Sequence, residues 1–225
     1  MNKLILPLLF LPALCLAAEQ ENFMMGSVVK SDKWKMDRTR DEEIFDGNVS
    51  FRNPHYTLTA DHALYKRKDK SWDISGSVYT LRRLDDGSQV EAYCHKARYL
   101  ETDETAFMER GKLPVRMLYT GADGKKLRGR SDRARAENKK GLMYFDDNFA
   151  LSTDNLDIYS RKGMYDNKER SFLIEESTPL AVGTREGYNF AINSERIKFF
   201  RDSRDIKFYN NVSGWVKDPP DGVRK

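Results

Sequence analysis

Cysteine is scarce in this chain of 225 residues, which contains only Cys15 and Cys94. Cys15 lies in an N-terminal segment that we expect to be removed, and Cys94 would then be the only cysteine left. A chain with one cysteine forms no internal disulfide, so an apolar core must hold the fold together. Aromatic residues make up 12% of the chain and can supply such a core, whereas a charged fraction of 33% predicts a strongly polar surface.

Long hydrophobic runs are also missing. The one extended apolar run, Leu4–Leu16, is shorter than the roughly 20 residues that a membrane-spanning helix needs. It follows a lysine and precedes the small residues Ala17 and Ala18, which is the pattern of a secretory signal peptide. We therefore expect residues 1–18 to be cleaved near Ala17 or Ala18 and the mature protein to be exported. Two alternatives remain open: acylation of Cys15 as in a lipoprotein, and an uncleaved membrane anchor.

Known catalytic motifs do not occur. The sequence has no G-x-S-x-G, H-E-x-x-H, P-loop or C-x-x-C, which are patterns that mark hydrolases, metal sites, nucleotide sites and redox sites. Its three histidines are His55, His62 and His95, and neighbours such as Asp61 and His62 point to opposite faces of a strand. The sequence therefore predicts no enzyme, no cofactor and no metal site. A carboxylate pair brought together by the fold stays open as an alternative.

What the chain does contain is a pattern of short strands. Between residues 25 and 216 apolar residues recur mostly at every second position, as in Ile74-x-Gly76-x-Val78 and Phe190-x-Ile192. Period two puts these side chains on one face of a strand. Turn sequences such as Asp85-Asp86-Gly87 separate the strands. The pattern predicts an all-β protein whose sheet has one dry and one wet face.

The strands also repeat. "FDGN" at Phe45–Asn48 returns as "FDDN" at Phe145–Asn148, and the same offset aligns residues 45–117 with residues 145–217. A finer repeat consists of the strand endings "ADHALY", "CHKARY", "SDRARA", "SRKGMY" and "SERIKF", of which only "SDRARA" lacks an aromatic residue near its end. Repeats of this length build stacked layers. We expect a lead-in with the first edge strand at 19–43, a repeated β-module at 44–217 and a polar tail at 218–225.

The stretch from Phe45 to Val78, with its "GNV", "ADHALY" and "GSV" elements, resembles the OstA-like module of the lipopolysaccharide-transport proteins LptA and LptC. The resemblance covers residues 44–216. It implies an elongated, incompletely closed β-jellyroll of stacked antiparallel layers that holds acyl chains in its interior. It further implies a periplasmic, non-enzymatic lipid carrier or bridge that takes part in lipopolysaccharide transport from the inner to the outer membrane. An LptA-like bridge and an LptC-like membrane partner both fit the residues.

This resemblance and the alternation together select candidate inner-face residues that would contact lipid. They are Val49, Phe51, Leu58, Ala60, Ile74, Val78, Phe149, Leu151, Ile158, Ile174, Phe190 and Ile192. Each could equally pack a closed core, so the sequence alone does not separate a cavity from a filled interior.

A second candidate surface is the basic segment at residues 125–140. Its basic residues include Lys125, Lys126, Arg128, Arg130, Arg133 and Arg135, although the net charge of the whole chain is only +4. Such a segment either solvates the protein or attracts lipid headgroups and other anionic surfaces. Nucleic acid is not expected, because the segment contains no aromatic residue for stacking and the protein is predicted to be exported.

The predicted partners follow from the ends of the stack. Unpaired edge strands accept a strand from another chain, and we expect such edges at Met25–Trp34 and at Ile206–Val216. The expected partners are other lipopolysaccharide-transport proteins or a second copy joined head to tail. A carbohydrate-binding or adhesion module is the alternative function, and it would need Trp34, Trp72 and Trp215 on one flat outer face.

Overall fold

The computed structural model describes residues 28–218. The predicted signal peptide, the rest of the lead-in before residue 28 and the tail from residue 219 lie outside the described residues. Within them the chain forms eighteen strands and a single turn of 3-10 helix at Asn138–Lys140. The all-β prediction is confirmed. The strands are β1 Val28–Lys30, β2 Lys33–Asp37, β3 Glu42–Arg52, β4 Tyr56–Lys66, β5 Ser71–Arg83, β6 Gln89–Leu100, β7 Thr105–Glu109, β8 Val115–Thr120, β9 Lys126–Ser131, β10 Arg133–Glu137, β11 Leu142–Ser152, β12 Leu156–Asp166, β13 Ser171–Glu175, β14 Leu180–Arg185, β15 Tyr188–Asn193, β16 Arg196–Phe200, β17 Ile206–Tyr209 and β18 Ser213–Lys217.

Every pairing is antiparallel, and the strands form two walls. The first wall contains β2, β7, β10, β13, β16 and β17, and the second contains β1, β8, β9, β14, β15 and β18. The long strands β3, β4, β5, β6, β11 and β12 run through both walls. Four of them, β3, β6, β11 and β12, pair with a strand of the first wall along one half and with a strand of the second wall along the other. The other two, β4 and β5, lie between β3 and β6 and pair along both halves with their long neighbours. The stack begins at β1 and β2 and ends at β17 and β18. Among the described residues these two ends do not pair with each other, so the jellyroll is open, as predicted.

Three of the long strands, β3, β5 and β11, change walls at corners where the backbone enters the left-handed region. In β3 the corner is Gly47-Asn48, with φ of 73° and 47°, and in β11 it is Asp147-Asn148, with φ of 59° and 54°. Glycine, asparagine and aspartate adopt such angles at the lowest cost. The repeated "FDGN" and "FDDN" stretches are therefore the same corner in two layers.

Each of these corners is fastened to the preceding layer in the same way. The Asn148 side-chain amide donates to the Asp132 carboxylate at 2.7 Å, and the Asp132 backbone N–H donates to the Asp147 carbonyl at 2.9 Å. The corner in β3 repeats both bonds with Asn48 and Asp32 at 2.8 Å each. A third corner uses the same scheme, with Asn211 donating to Glu195. These paired bonds fix where the chain folds over from one wall to the other.

Between Phe45 and Ile174 the inner face of the first wall alternates between large and small side chains from one layer to the next. Consecutive strand partners along one row are Trp34, Phe45, Ala63, Ile74, Ala97, Met108, Ala134, Phe145, Gly163, Ile174, Ile197 and Phe208. Large residues interlock with the small ones beside them. This row and the facing row of the second wall form the apolar interior, which divides into two buried clusters.

Candidate functional site: an apolar cavity between the walls

A cavity of about 680 Å³ lies between the two walls in the middle of the stack. This volume falls in the usual range for small-molecule and lipid sites, about 300–1,000 Å³. Its apolar lining comes from both walls and includes Leu58, Ile74, Val78, Leu81, Leu84, Val90, Ala92, Cys94, Ala97, Ala106, Met108, Met117, Leu127, Ala136, Leu142, Met143, Phe145, Leu151 and Phe172. The three methionines give the lining flexible side chains that adapt to irregular apolar ligands.

The cavity exists because one inner row of the first wall loses its aromatic residues in the middle. Strand partners along this row are Tyr65, Trp72, Tyr99, Ala106, Ala136, Met143, Tyr165, Phe172 and Phe199. Ala106 and Ala136 interrupt the aromatic residues: Tyr99 precedes them in the row, and Met143 separates them from Tyr165. On the second wall Gly129 lies in the layer of Ala136, and Ala92 lies one layer before Ala106, with Met117 between them. Small side chains on both walls of adjacent layers leave the space unfilled.

Packed aromatic rings bound the cavity at both ends along the stack. Toward the N-terminus the Trp72 ring lies 5.0 Å from Phe51 and 4.5 Å from Tyr65, measured between ring centroids. Toward the C-terminus Phe172 lies 4.7 Å from Tyr165 and 6.4 Å from Phe199. The interior is therefore a compartment in the middle of the jellyroll.

The polar rim of the cavity lies where turns of the two walls face each other. Turns of the first wall contribute Asn138, Asn167, Arg170 and Arg201, and the turn after β5 in the second wall contributes Asp85 and Asp86. The rim is closed at one point by the Arg201 guanidinium, which stacks 4.6 Å from the centre of the Tyr119 ring on the opposite wall. The turns of the two walls leave a slit between them, and a polar headgroup can lie in this slit beside the apolar cavity.

Cys94 contributes a thiol to the cavity wall. It is the only free cysteine among residues 28–218. Burial raises its pKa to about 12, because a thiolate is poorly solvated against apolar neighbours. The thiol is therefore an unreactive part of the cavity wall.

The structure places the twelve predicted inner-face residues in three groups. Leu58, Ile74, Val78 and Leu151 line the cavity. Val49, Phe51, Ala60, Phe149, Ile158 and Ile174 are buried outside it and fill the interior near the two ends. Phe190 and Ile192 are half-buried near the C-terminal end of the stack, where fewer layers cover them.

The basic segment does not form one surface. Lys126, Arg128 and Arg130 are exposed on β9 of the second wall, whereas Arg133 and Arg135 are on β10 of the first wall. The chain changes walls between them, at the corner of Ser131 and Asp132. Arg133 is paired with Asp147 at 2.6 Å and Arg135 with Glu137 at 3.3 Å. Lys125 lies in the preceding turn, 2.9 Å from Asp123.

The residues of the other candidate sites do not lie together in the fold. Trp72 is buried in the core, while Trp34 and Trp215 are exposed at opposite ends of the stack, so the three tryptophans share no platform. No group of three or more His, Cys, Asp or Glu residues that could hold a metal occurs in residues 28–218. No helix in this part of the chain is long and apolar enough to cross a membrane.

The predicted edge Ile206–Val216 is present but interrupted. It consists of β17 in the first wall and β18 in the second, separated by Asn210 and Asn211 at positive φ. Within residues 28–218 each of the two strands pairs on one side only, with β16 and β15 respectively. At the other end, within the same residues, β1 and β2 both pair only with β3.

Comparisons with known proteins return little. No protein-family model and no curated protein sequence matches the chain. The solved structure of LptH, the LptA-homologous periplasmic component of the conserved lipopolysaccharide transport device from Pseudomonas aeruginosa, is similar to it in outline. The identity is 9%, the match covers 87% of this chain and 98% of that chain, and the TM-score is 0.36. A likeness at this level establishes neither the family nor the function.

Proposed function

We propose that this protein is a non-enzymatic periplasmic carrier that holds the acyl chains of lipopolysaccharide or a related lipid during transport from the inner to the outer membrane. The observation that carries the proposal is the apolar cavity of about 680 Å³ with a polar slit along one side. Acyl chains would lie between the walls, and the glycan would extend through the slit into water. The likeness of "FDGNV" and "ADHALY" to the OstA-like module supports the same reading.

The energetics suit a carrier. Burying a methylene group is worth about 0.8 kcal/mol, so a chain that enters the cavity is held without any catalytic or covalent group. Similar apolar contacts in a neighbouring protein would release it at little net cost. The exposed Lys126, Arg128 and Arg130 on the outer face of β9 would draw the protein to anionic headgroups, an attraction that salt weakens.

Transfer between proteins would use the open edges of the stack. We propose that β17 and β18 pair with the first layer of a second copy or with another lipopolysaccharide-transport protein. Their backbone groups face no further strand among the described residues, and Trp215 and Val216 are exposed on β18. Pairing there would align the two interiors end to end. Photo-cross-links from β18 to a partner support this arrangement, and a strictly monomeric protein without such cross-links contradicts it.

The test of the carrier proposal is to refill the cavity. Ala106→Phe restores an aromatic residue to the inner row at the point where the row is interrupted. If the ring displaces about three methylenes, at about 0.8 kcal/mol each, the affinity for lipopolysaccharide falls roughly 60-fold. Ala191→Phe is the matched control, since Ala191 pairs with Val182 and Trp215 on the outer face of the second wall. Equal lipopolysaccharide affinities for both folded variants would remove the cavity from the proposal.

A further inference from the structure

Arg201 is a buried charged residue at the rim of an apolar cavity. Its side chain is only 8% exposed, although it follows β16 in a surface turn. The Nε group donates to the Asp202 carboxylate at 2.8 Å, and Nη1 donates to the Tyr165 hydroxyl at 3.0 Å. The guanidinium also covers the Tyr119 ring of the opposite wall. Arginine is seldom buried to this extent, and these contacts hold the guanidinium in a fixed orientation beside the cavity.

The charge around Arg201 is not balanced on its own side of the slit. Asp202 also accepts from Arg170, at 3.0 Å, so two guanidinium groups share one carboxylate and leave an excess positive charge. The acidic turn on the opposite wall contains Asp85 and Asp86. The Asp86 carboxylate accepts from the Ser88 backbone N–H at 2.9 Å and from the Ser88 hydroxyl. The pKa of Asp86 is held low first by these bonds and only then by Arg201 and Arg170.

We propose that Arg201, with Arg170 beside it, binds the anionic headgroup, a phosphate or a carboxylate, of an amphiphile whose chain occupies the cavity. This inference rests on the proposed function, because it requires that the cavity takes an acyl chain. A guanidinium presents a planar set of donors that matches the oxygens of both anions. Met143 and Phe172 line the same cavity, so head and chain would be bound side by side. Arg201 would thus determine which amphiphiles are held and in which orientation.

The test compares two ligands that have the same chain. Dodecyl phosphate and 1-dodecanol, both below their aggregation limits, are titrated into the delipidated protein. The expected result is that dodecyl phosphate binds more tightly than dodecanol to the unaltered protein. Arg201→Gln should weaken dodecyl phosphate about 10- to 100-fold, the usual range for losing a hydrogen-bonded charged partner, and leave dodecanol unchanged. Arg128→Gln, on the outer face of the second wall, is the control and should alter neither ligand.

Because Arg201 also supports Tyr165, its replacement can lower stability, and the exposed Arg170 provides a second variant. Arg170→Gln should lower the preference for phosphate over alcohol while the protein keeps its circular dichroism spectrum. If the preference is absent in the unaltered protein, or survives in both variants, the headgroup site is wrong while the cavity stands. If neither ligand binds, the proposed function itself fails. Inorganic phosphate binding as tightly as dodecyl phosphate would make this a free-anion site and would also overturn the inference.

Discussion

Replacing Gly163 with alanine tests whether the sizes of buried side chains on adjacent strands are matched to each other in corresponding layers of the two halves of the chain. A Cβ on Gly163 would lie 2.7 Å from Cδ1 and 2.8 Å from Cζ of Phe149, and closer still to Cε1. Both distances are well inside van der Waals contact, and Phe149 is almost completely buried and cannot move aside. The corresponding layer in the first half has Ala63 and Val49 at these positions, both also buried. A larger residue on one strand is thus matched by a smaller one on the next.

The expected sizes follow from this pairing. Gly163→Ala should destabilise the protein by about 1–3 kcal/mol, the usual range for overpacking a core. In a Phe149→Val background the obstructing ring is gone, and Gly163 does not require a positive φ. The same substitution should then be neutral or stabilise by about 0.4–1 kcal/mol, because alanine reduces the entropy of the unfolded chain. Urea unfolding of the four proteins measures the coupling. An equal cost of Gly163→Ala in both backgrounds would refute the reasoning.

Three further predictions concern the site and its scaffold. Cys94, with a pKa of about 12 against an ordinary value of 9.0, should react roughly 30-fold more slowly with a maleimide at pH 7 than an unfolded cysteine, because the smaller thiolate fraction is partly offset by the higher nucleophilicity of the thiolate. The stabilisation from its protonated form is full below pH 9 and is lost as the pH rises toward 12. Labelling at the unfolded rate would contradict the burial. Asn148→Ala removes the bond to Asp132 and puts alanine at positive φ, so the free energy of unfolding measured in urea should fall by about 1–2 kcal/mol. Asn148→Gly should lower it less, and equal losses in the two variants would exclude the φ contribution. Ile174→Asp should unfold the protein rather than merely lower lipid binding, because Ile174 is fully buried outside the cavity. A native far-UV circular dichroism spectrum of this variant would show that the interior around Ile174 is not closed.

The strand content and the inner faces could be predicted because both depend on local patterns. Period two assigns residues such as Val49 and Ile158 to one face whatever the tertiary arrangement is, and both are buried. The corners were visible as the repeated "FDGN" and "FDDN" because left-handed backbone favours glycine, asparagine and aspartate. Phe190 and Ile192 follow the same alternation but remain half-buried, since the end of a stack has fewer covering layers.

The cavity could not be located from the alternation, because its position depends on which layers become neighbours. Ala106 and Ala136 matter only because β7 pairs with β10, a contact between strands far apart in sequence. One signal was present, since "SDRARA" alone among the strand endings lacks an aromatic residue, and its last alanine is Ala136. The division of the basic segment is likewise a consequence of the corner at Ser131 and Asp132. The burial of Arg201 has no local signature, because the contact with Tyr119 crosses between the walls.

The most direct test of a lipid in the cavity is mass analysis of the lipid extracted from the protein purified from its native compartment. The proposal predicts a lipid with acyl chains in near-stoichiometric amount in the unaltered protein and in Ala191→Phe, and a large loss of that lipid in Ala106→Phe. A folded, unaltered protein that is free of lipid, or an Ala106→Phe variant that retains its full complement, would contradict the central claim.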